Sequence, residues 1–164
     1  MFGCDQQRIS KSSELPEALG ALDELNAFLG FVKIRSVTDS LIPATLRRVQ
    51  EMLFIVQAET AGADKRVSAD AVVEIETIIN TIEKQLPPLK GFSIAGGTEL
   101  SALLDVARTS ARRAERRLIA VADAGLRTFA PETKAYMNRL SSLLFALARL
   151  ANHTAGVAEE NPRY

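Results

Sequence analysis

Five arginines and one glutamate fall within residues 107–117 of this 164-residue chain and give the segment a high density of fixed positive charge. On an α-helix, Arg108, Arg112 and Glu115 would lie within about 60° of one another. The arginines of a second row, spaced i, i+4, are Arg113 and Arg117. Because the planar fork of arginine binds phosphate or carboxylate through two donors, these rows predict a polyanion site. Glu115 is predicted to hold Arg108 or Arg112 in place.

The helix that carries these arginines also has an apolar seam. Its members, spaced alternately by four and three, are Leu100, Leu104, Ala107, Ala111, Ala114, Leu118 and Val121. The central members are alanines, so another helix can approach closely. The same periodicity is typical of a bundle helix whose arginines merely face solvent, where each charge pair contributes roughly a few tenths of a kcal/mol. Spacing alone leaves both interpretations open.

Composition limits the classes of function. The chain has 20 basic and 20 acidic residues, and this balance argues against non-specific nucleic-acid binding, which needs a strongly basic surface. Cys4 and His153, each alone of its type, exclude a disulfide framework and multi-cysteine or multi-histidine metal sites. No signal peptide opens the sequence, and no apolar run approaches the ~18 residues of a membrane span. We therefore expect a cytoplasmic protein that binds neither nucleic acid nor membrane.

The hydrophobic spacing predicts the elements that position these residues: five helices and no strand, an all-α five-helix bundle in a single domain over residues 1–164. An irregular segment, residues 1–14, comes first. The first helix is expected from Leu15 to Ser36, and the second has Pro43 in its first turn and ends before Ala61. The third is expected from Ser68 to Leu86, before Pro87-Pro88. The fourth is expected from Thr98 to Gly125 and the fifth from Pro131 to Gly156. The apolar faces are wide, which indicates a homo-oligomer or, alternatively, a fully buried central helix.

Three further groups of side chains suit binding. They are Asp23, Asn26 and Gly30 on the first helix; Asn138, Ser142, Phe145 and Arg149, followed by Asn152, on the last; and Phe92 in a glycine-ended loop. Each group also fits a structural role, as hydrogen bonds within the bundle or as a hydrophobic anchor. The sequence has no paired-carboxylate motif for acid–base catalysis and no G-x-x-x-x-G-K-[ST] loop. Any chemistry therefore depends on positioning and charge stabilisation more than on proton transfer.

Four segments occur in an order that is typical of one enzyme family. They are G-A-L-D-E-L-N-A-F-L-G (Gly20 to Gly30), F-S-I-A-G-G-T (Phe92 to Thr98), A-R-T-S-A-R-R-A-E-R-R (Ala107 to Arg117) and Y-M-N-R-L-S-S-L-L-F-A-L-A-R (Tyr136 to Arg149). Together they closely resemble the ATP:cob(I)alamin adenosyltransferases of the propanediol-utilisation type. The likeness extends from about Phe2 to Asn152.

This resemblance implies a homotrimer of five-helix bundles with active sites between neighbouring subunits. It also implies a reaction in which the Co(I) corrinoid attacks the 5′ carbon of ATP, releasing triphosphate and forming adenosylcobalamin. Cob(I)alamin is a strong nucleophile, so no protein base is needed, whereas departure of a highly charged triphosphate requires arginines and a Mg²⁺ ion. A corrinoid reductase is a candidate partner.

The resemblance also implies roles for individual residues. Those similar to ATP-binding residues of the family are Lys11, Arg112, Arg117 and Asn138, with Glu115 as the orienting carboxylate. Asp23 and Arg108 resemble a charge pair that bridges subunits beside the corrinoid. Phe92 matches an aromatic residue that crowds the lower face of the corrinoid and removes its axial base, which makes Co(II) easier to reduce.

The sequence departs from the family's pattern in three places. In the family, a segment of the form T-x-x-G-D-x-G-x-T wraps the triphosphate; it stands upstream of the position of Phe2, and the sequence here begins after it. Ser142 replaces an aspartate, and Ala95 replaces a proline. Two functions are therefore expected: an active adenosyltransferase or, alternatively, a non-catalytic trimeric bundle that binds corrinoid or nucleotide.

Overall fold

The computed structural model describes residues 10–36, 41–89 and 91–164, and these ranges contain helices but no strand. In chain order the helices are α1 (Glu14–Arg35), α2 (Leu41–Thr60), α3 (Ala69–Glu83), α4 (Glu99–Asp123) and α5 (Pro131–Thr154). The all-α prediction is confirmed. The predicted features that lie outside the described residues are the segment 1–9, which contains Cys4, and the break at residues 38–40.

The helices pack around one hydrophobic core. α1 packs on α2 and α4, while α5 packs on α3 and α4. Leu22 and Leu25 of α1, Leu104 of α4 and Leu144 of α5 are completely inaccessible to solvent. Because α4 touches both α1 and α5, the arginine-bearing helix is held from two sides.

The apolar seam of α4 forms as its spacing predicts. Ala107, Ala111 and Ala114 are fully buried, and only the first seam residue, Leu100, is half-buried. The N-terminus of α4 is capped by Thr98, whose Oγ1 accepts a hydrogen bond of 3.1 Å from the backbone N–H of Ser101. The seam and cap fix the face of α4 on which the arginines lie.

Three helices, α3, α4 and α5, end two or three residues earlier than the sequence suggests, and α4 ends at Asp123, two residues before Gly125. α3 ends at Glu83, and the chain then tightens into a turn in which the N–H groups of Gln85 and Leu86 donate to carbonyls three residues back. A proline disfavours helical backbone angles at the residue before it, and Pro87 has this effect on Leu86. α5 ends at Thr154, two residues before Gly156, whose φ is +68°.

No helix within the described ranges is long and apolar enough to cross a membrane.

Candidate functional site

The two arginines of the first row on α4, Arg108 and Arg112, differ in whether a carboxylate binds them. Nε of Arg108 lies 3.2 Å from Oδ1 of Asp105, and its Cζ lies 6.0 Å from the centre of the Phe145 ring. Arg112 is exposed and makes no hydrogen bond or ion pair with any residue that the structure describes. One turn of helix therefore separates an oriented cation from one that is open to a ligand.

The second row reaches back to α1. Nη2 of Arg113 lies 2.6 Å from Oε2 of Glu24. The guanidinium group of Arg117 lies 3.5 Å from Glu17 and 3.9 Å from Glu14. These side chains are well exposed, and such pairs each contribute about 1 kcal/mol or less. An anion that binds Arg117 would compete with two weakly held carboxylates.

Glu115 and Asn138, both predicted site residues, are brought together across α4 and α5. Nδ2 of Asn138 donates a 3.0 Å hydrogen bond to Oε1 of Glu115. The expectation that Glu115 holds Arg108 or Arg112 is therefore wrong for the described part of the chain. The carboxylate turns to α5, while Arg108 finds Asp105 one turn earlier on its own helix.

A cleft of about 410 Å³ opens beside this pair, between the later turns of α4 and the first turns of α5. Its lining includes the charged residues Asp123 and Lys134 and the apolar residues Ile119, Phe129 and Met137. Sequence reasoning missed Lys134 and Phe129, because only the packing of α5 and the residues before it on α4 brings them into the same cleft as Glu115. The cleft has the mixed apolar and polar lining that small-molecule sites share.

Phe92 projects from residues 91–98, here termed the Phe92 loop, with 79% of its surface exposed. Two side chains hold the end of this loop. The N–H of Gly96 lies 3.4 Å from Oδ2 of Asp105, and Nδ2 of Asn152 donates a 2.8 Å hydrogen bond to the Gly96 carbonyl. The aromatic ring is thus presented outward from an anchored backbone.

Gly97 allows the loop to pass close to α5. Its φ is +101°, and a Cβ at this position would lie 2.6 Å from Oδ1 of Asn152. That oxygen already accepts hydrogen bonds from the N–H and Oγ1 of Thr98, at 2.9 and 3.1 Å. Only glycine fits both the backbone angle and the space.

The remaining predicted residues stand apart in this single chain. Lys11, in the turn before α1, and Asp23, on α1, are exposed and have no polar partner within the described ranges. Asp23 forms no pair with Arg108, whose partner is Asp105. Asn26 is 6% exposed, and its buried Oδ1 has no hydrogen-bond partner. On this face of α1, the Oδ1 atom of Asn26 is therefore the buried atom that lacks a hydrogen-bond partner within the described ranges.

Asp105 was not among the residues predicted for the site, although its spacing from Arg108 could have indicated it. It stands three residues before Arg108, the spacing at which helix side chains meet. It contacts both Arg108 and the Phe92 loop. Within the described residues, no group of three or more His, Cys, Asp or Glu side chains could hold a metal ion.

Residues 2–151 match the family described as cobalamin adenosyltransferase. The chain belongs to the cobalamin adenosyltransferase family. The resemblance noted in the sequence is thereby confirmed, and it covers the arginine rows, the Phe92 loop and the cleft alike.

Curated relatives of this family have similar sequences. A corrinoid adenosyltransferase from Mycobacterium tuberculosis is 36% identical over 161 residues, covering 90% of this chain and 81% of the relative. Corrinoid adenosyltransferase PduO from Citrobacter freundii is 36% identical over 157 residues, covering 91% of this chain and 46% of that protein. The chain spans about half the length of the PduO relatives from C. freundii and Salmonella typhimurium.

Solved structures show the same fold. A phenylalanine-to-alanine variant of a PduO-type ATP:corrinoid adenosyltransferase from Lactobacillus reuteri, complexed with cobalamin and ATP, has a TM-score of 0.90 and 28% identity. The match covers 99% of this chain and 93% of that one. An arginine-to-lysine variant from the same organism, complexed with ATP, also has a TM-score of 0.90, at 28% identity and with 99% and 94% covered. The five helices therefore have the arrangement of a cobalamin adenosyltransferase.

Proposed function

We propose that this chain transfers the 5′-deoxyadenosyl group of ATP to cob(I)alamin, giving adenosylcobalamin and triphosphate. The observation that carries the proposal is the family match over residues 2–151, in which the arginine rows, the cleft and the Phe92 loop all fall. The L. reuteri protein whose fold it shares is complexed with cobalamin and ATP. The alternative, a non-catalytic bundle, is not favoured by relatives that are themselves named adenosyltransferases.

The transfer needs no base from the protein. The electron pair of Co(I) forms the cobalt–carbon bond at C5′, the C5′–O bond breaks, and its electron pair leaves with the triphosphate. No proton moves, so stabilising the negative charge on the leaving group is the main requirement. Arg112, exposed and unpaired among the described residues, suits this role.

Four residues are proposed to bind ATP. Arg112 and Arg117 contact the triphosphate with Lys11, while Asn138, held by Glu115, contacts the nucleotide at the cleft. For Arg117 to do so, it exchanges Glu14 and Glu17 for phosphate oxygens, which bind a guanidinium fork at least as well.

Phe92 is proposed to lie against the lower face of the corrinoid and displace its axial base. Phe92 and Ile94 of the same loop are 79% and 52% exposed, so the loop carries apolar surface that a ligand or a partner would cover. Asp23 and Arg108 are proposed to pair between subunits beside it. The lack of an intrachain partner for Asp23 within the described residues supports this pairing.

The functional unit is proposed to be a homotrimer with one active site at each subunit boundary. Val106 and Ile119, on different faces of α4, are 50% and 48% exposed, and contacts with neighbouring subunits on both faces would cover them. A cytoplasmic location and a corrinoid reductase that supplies cob(I)alamin are parts of the same proposal.

Mg²⁺ is proposed to arrive with ATP and not to occupy a protein cage. The described residues include no cluster of metal-binding side chains, and Mg²⁺ in nucleotide sites characteristically keeps waters and phosphate oxygens as ligands. Such an ion neutralises phosphate charge, while the arginines on α4 orient the triphosphate.

An anaerobic assay tests the function. Purified protein is mixed with chemically reduced cobalamin, ATP and Mg²⁺, and the loss of the cob(I)alamin spectrum is followed together with the formation of adenosylcobalamin. We expect product in proportion to enzyme. Binding of corrinoid or ATP without product, at saturating concentrations of both, would favour the non-catalytic bundle instead.

A further inference from the structure

The C-terminal residues 157–164, here termed the strap, lie across the Phe92 loop. The backbone N–H of Ile94 donates a 2.8 Å hydrogen bond to the carbonyl of Glu160, and Nδ2 of Asn161 donates a 2.9 Å hydrogen bond to the carbonyl of Phe92. The strap is therefore hydrogen-bonded to Phe92 and to Ile94, two residues further along the loop.

Hydrophobic packing does not explain why the strap stays in place. Val157 is 37% exposed and Tyr164 is 99% exposed. A cavity of about 540 Å³, lined by parts of the strap, by α5 and by residues around Pro87, lies beneath it. With so little apolar contact, the strap needs a polar attachment to remain ordered.

One ion pair, between a buried arginine and a partly exposed glutamate, provides that attachment. The side chain of Arg149, on α5, is 8% exposed and binds Glu159 of the strap through two contacts, Nε to Oε1 at 2.5 Å and Nη2 to Oε2 at 3.0 Å. Nη2 also donates a 2.7 Å hydrogen bond to the carbonyl of Pro87, where the chain leaves α3 for the Phe92 loop. A single guanidinium group thus connects α5, the strap and the approach to the loop.

We propose that Arg149 and Glu159 are positioning residues, which lock the strap onto the Phe92 loop and so fix Phe92 where it meets the corrinoid. The proposal rests on the proposed function for the role of Phe92. The mechanical part, that the pair holds the strap, depends only on the contacts described here. A bidentate pair with a buried arginine is rigid enough to hold a loop, whereas an exposed single contact is not.

Glu159→Gln is the central variant, and Glu160→Gln is its matched control. Both remove one negative charge from adjacent strap residues, but the Glu160 side chain is exposed and only its backbone carbonyl takes part in the attachment. Hydrogen exchange of the Ile94 amide reports the strap directly. We expect exchange about tenfold faster in Glu159→Gln and unchanged in Glu160→Gln, since a charge-assisted pair is lost only in the first. Equal exchange in both variants would overturn the proposal.

Turnover then tests the link to Phe92. Glu159→Gln should slow the reaction about tenfold when cob(II)alamin is reduced on the protein, and leave the rate from free cob(I)alamin nearly unchanged. In the same variant, the electron paramagnetic resonance spectrum of bound cob(II)alamin should show the axial base retained. Arg149→Lys keeps the charge but loses the planar fork of donors. It should change the amide exchange rate, the turnover from cob(II)alamin and the spectrum in the same direction as Glu159→Gln, but by a smaller amount.

The outcomes separate the two proposals. Faster exchange with an unchanged ratio of the two rates would mean that the pair holds the strap but does not position Phe92, and the inference would fail. Absence of product from the wild-type chain would count against the proposed function, while the exchange measurement would still decide whether Arg149 and Glu159 lock the strap.

Discussion

Arginines on the α3 side of the bundle differ from Arg112 on α4 in that each has a carboxylate partner. Arg48 of α2 lies 3.1 Å from Glu74, and Arg139 of α5 lies 3.1 Å from Glu76, so both bridge to α3. Arg112 on α4 has no such partner in the described chain. Arginines that join helices have carboxylate partners in their own chain, whereas Arg112, one of the two arginines proposed to contact the triphosphate, has none among the described residues.

On the α3 side, the surroundings also raise the pKa values of two ionisable side chains. The hydrogen bond that Nε of Arg48 donates to Glu74 raises the pKa of the Arg48 guanidinium above its usual value. Burial raises the pKa of the neighbouring Tyr136 hydroxyl, with a smaller contribution from Glu74 in the same direction. These groups keep one charge state throughout the physiological range. They suit a structural role and offer no open charge to a ligand.

The largest difference between the two sides should appear on removing one arginine from each. Arg112→Ala should lower kcat/KM for ATP by about 100-fold or more, because a cation that stabilises the leaving group is lost. Arg139→Ala removes an equally charged, exposed side chain and should leave kcat/KM unchanged. Steady-state kinetics on both variants, with circular dichroism to check folding, decides the matter. Equal rates for Arg112→Ala and wild type would show that the α4 row only faces solvent.

A second contrast concerns two exposed aromatic rings. Phe92→Ala should slow the reaction from cob(II)alamin by about tenfold while the reaction from free cob(I)alamin changes little. Phe54→Ala, which removes a 63% exposed ring from α2, is the control and should change neither rate. A loss of the same size from both corrinoid states in Phe92→Ala would contradict a role in reduction.

The smallest effect is one of stability. Arg48→Ala should lower the free energy of unfolding by about 0.5 kcal/mol, since its pair with Glu74 is partly exposed. Arg112→Ala should not lower it, because no pair within the described chain is lost. Urea titrations of both variants measure this. A greater destabilisation by Arg112→Ala would place that residue among the structural arginines.

Local signals in the sequence were sufficient to predict the helices and their starts. The Ser68 hydroxyl accepts a 3.3 Å hydrogen bond from the N–H of Ala71, and Thr98 does the same for α4. Caps and seams are read from residues three or four apart, so they do not depend on the rest of the fold. The ends of α3, α4 and α5 were harder to predict, because a turn can continue the helical spacing for two or three more residues.

Contacts between elements could not be predicted in the same way. The partner of Glu115 depends on the rotation of α5 against α4, which brings Asn138 within hydrogen-bonding distance of the carboxylate. The pair of Arg149 and Glu159 depends on the course of an irregular segment that has no periodicity. The motifs identified the family, but only the packing shows which side chains are paired and which remain open.

The alanine seam of α4 has a consequence for the precision of the arginine rows. Alanine has no side-chain rotamers, so a helix that packs through Ala107, Ala111 and Ala114 loses no rotational freedom there on folding. Nor can it turn about its axis by exchanging one set of rotamers for another. In the middle of α4, the angle at which the guanidinium groups leave the helix is therefore set mainly by contacts of the backbone and the alanine methyl groups, and the long arginine side chains are the most adjustable part between the core and the anion.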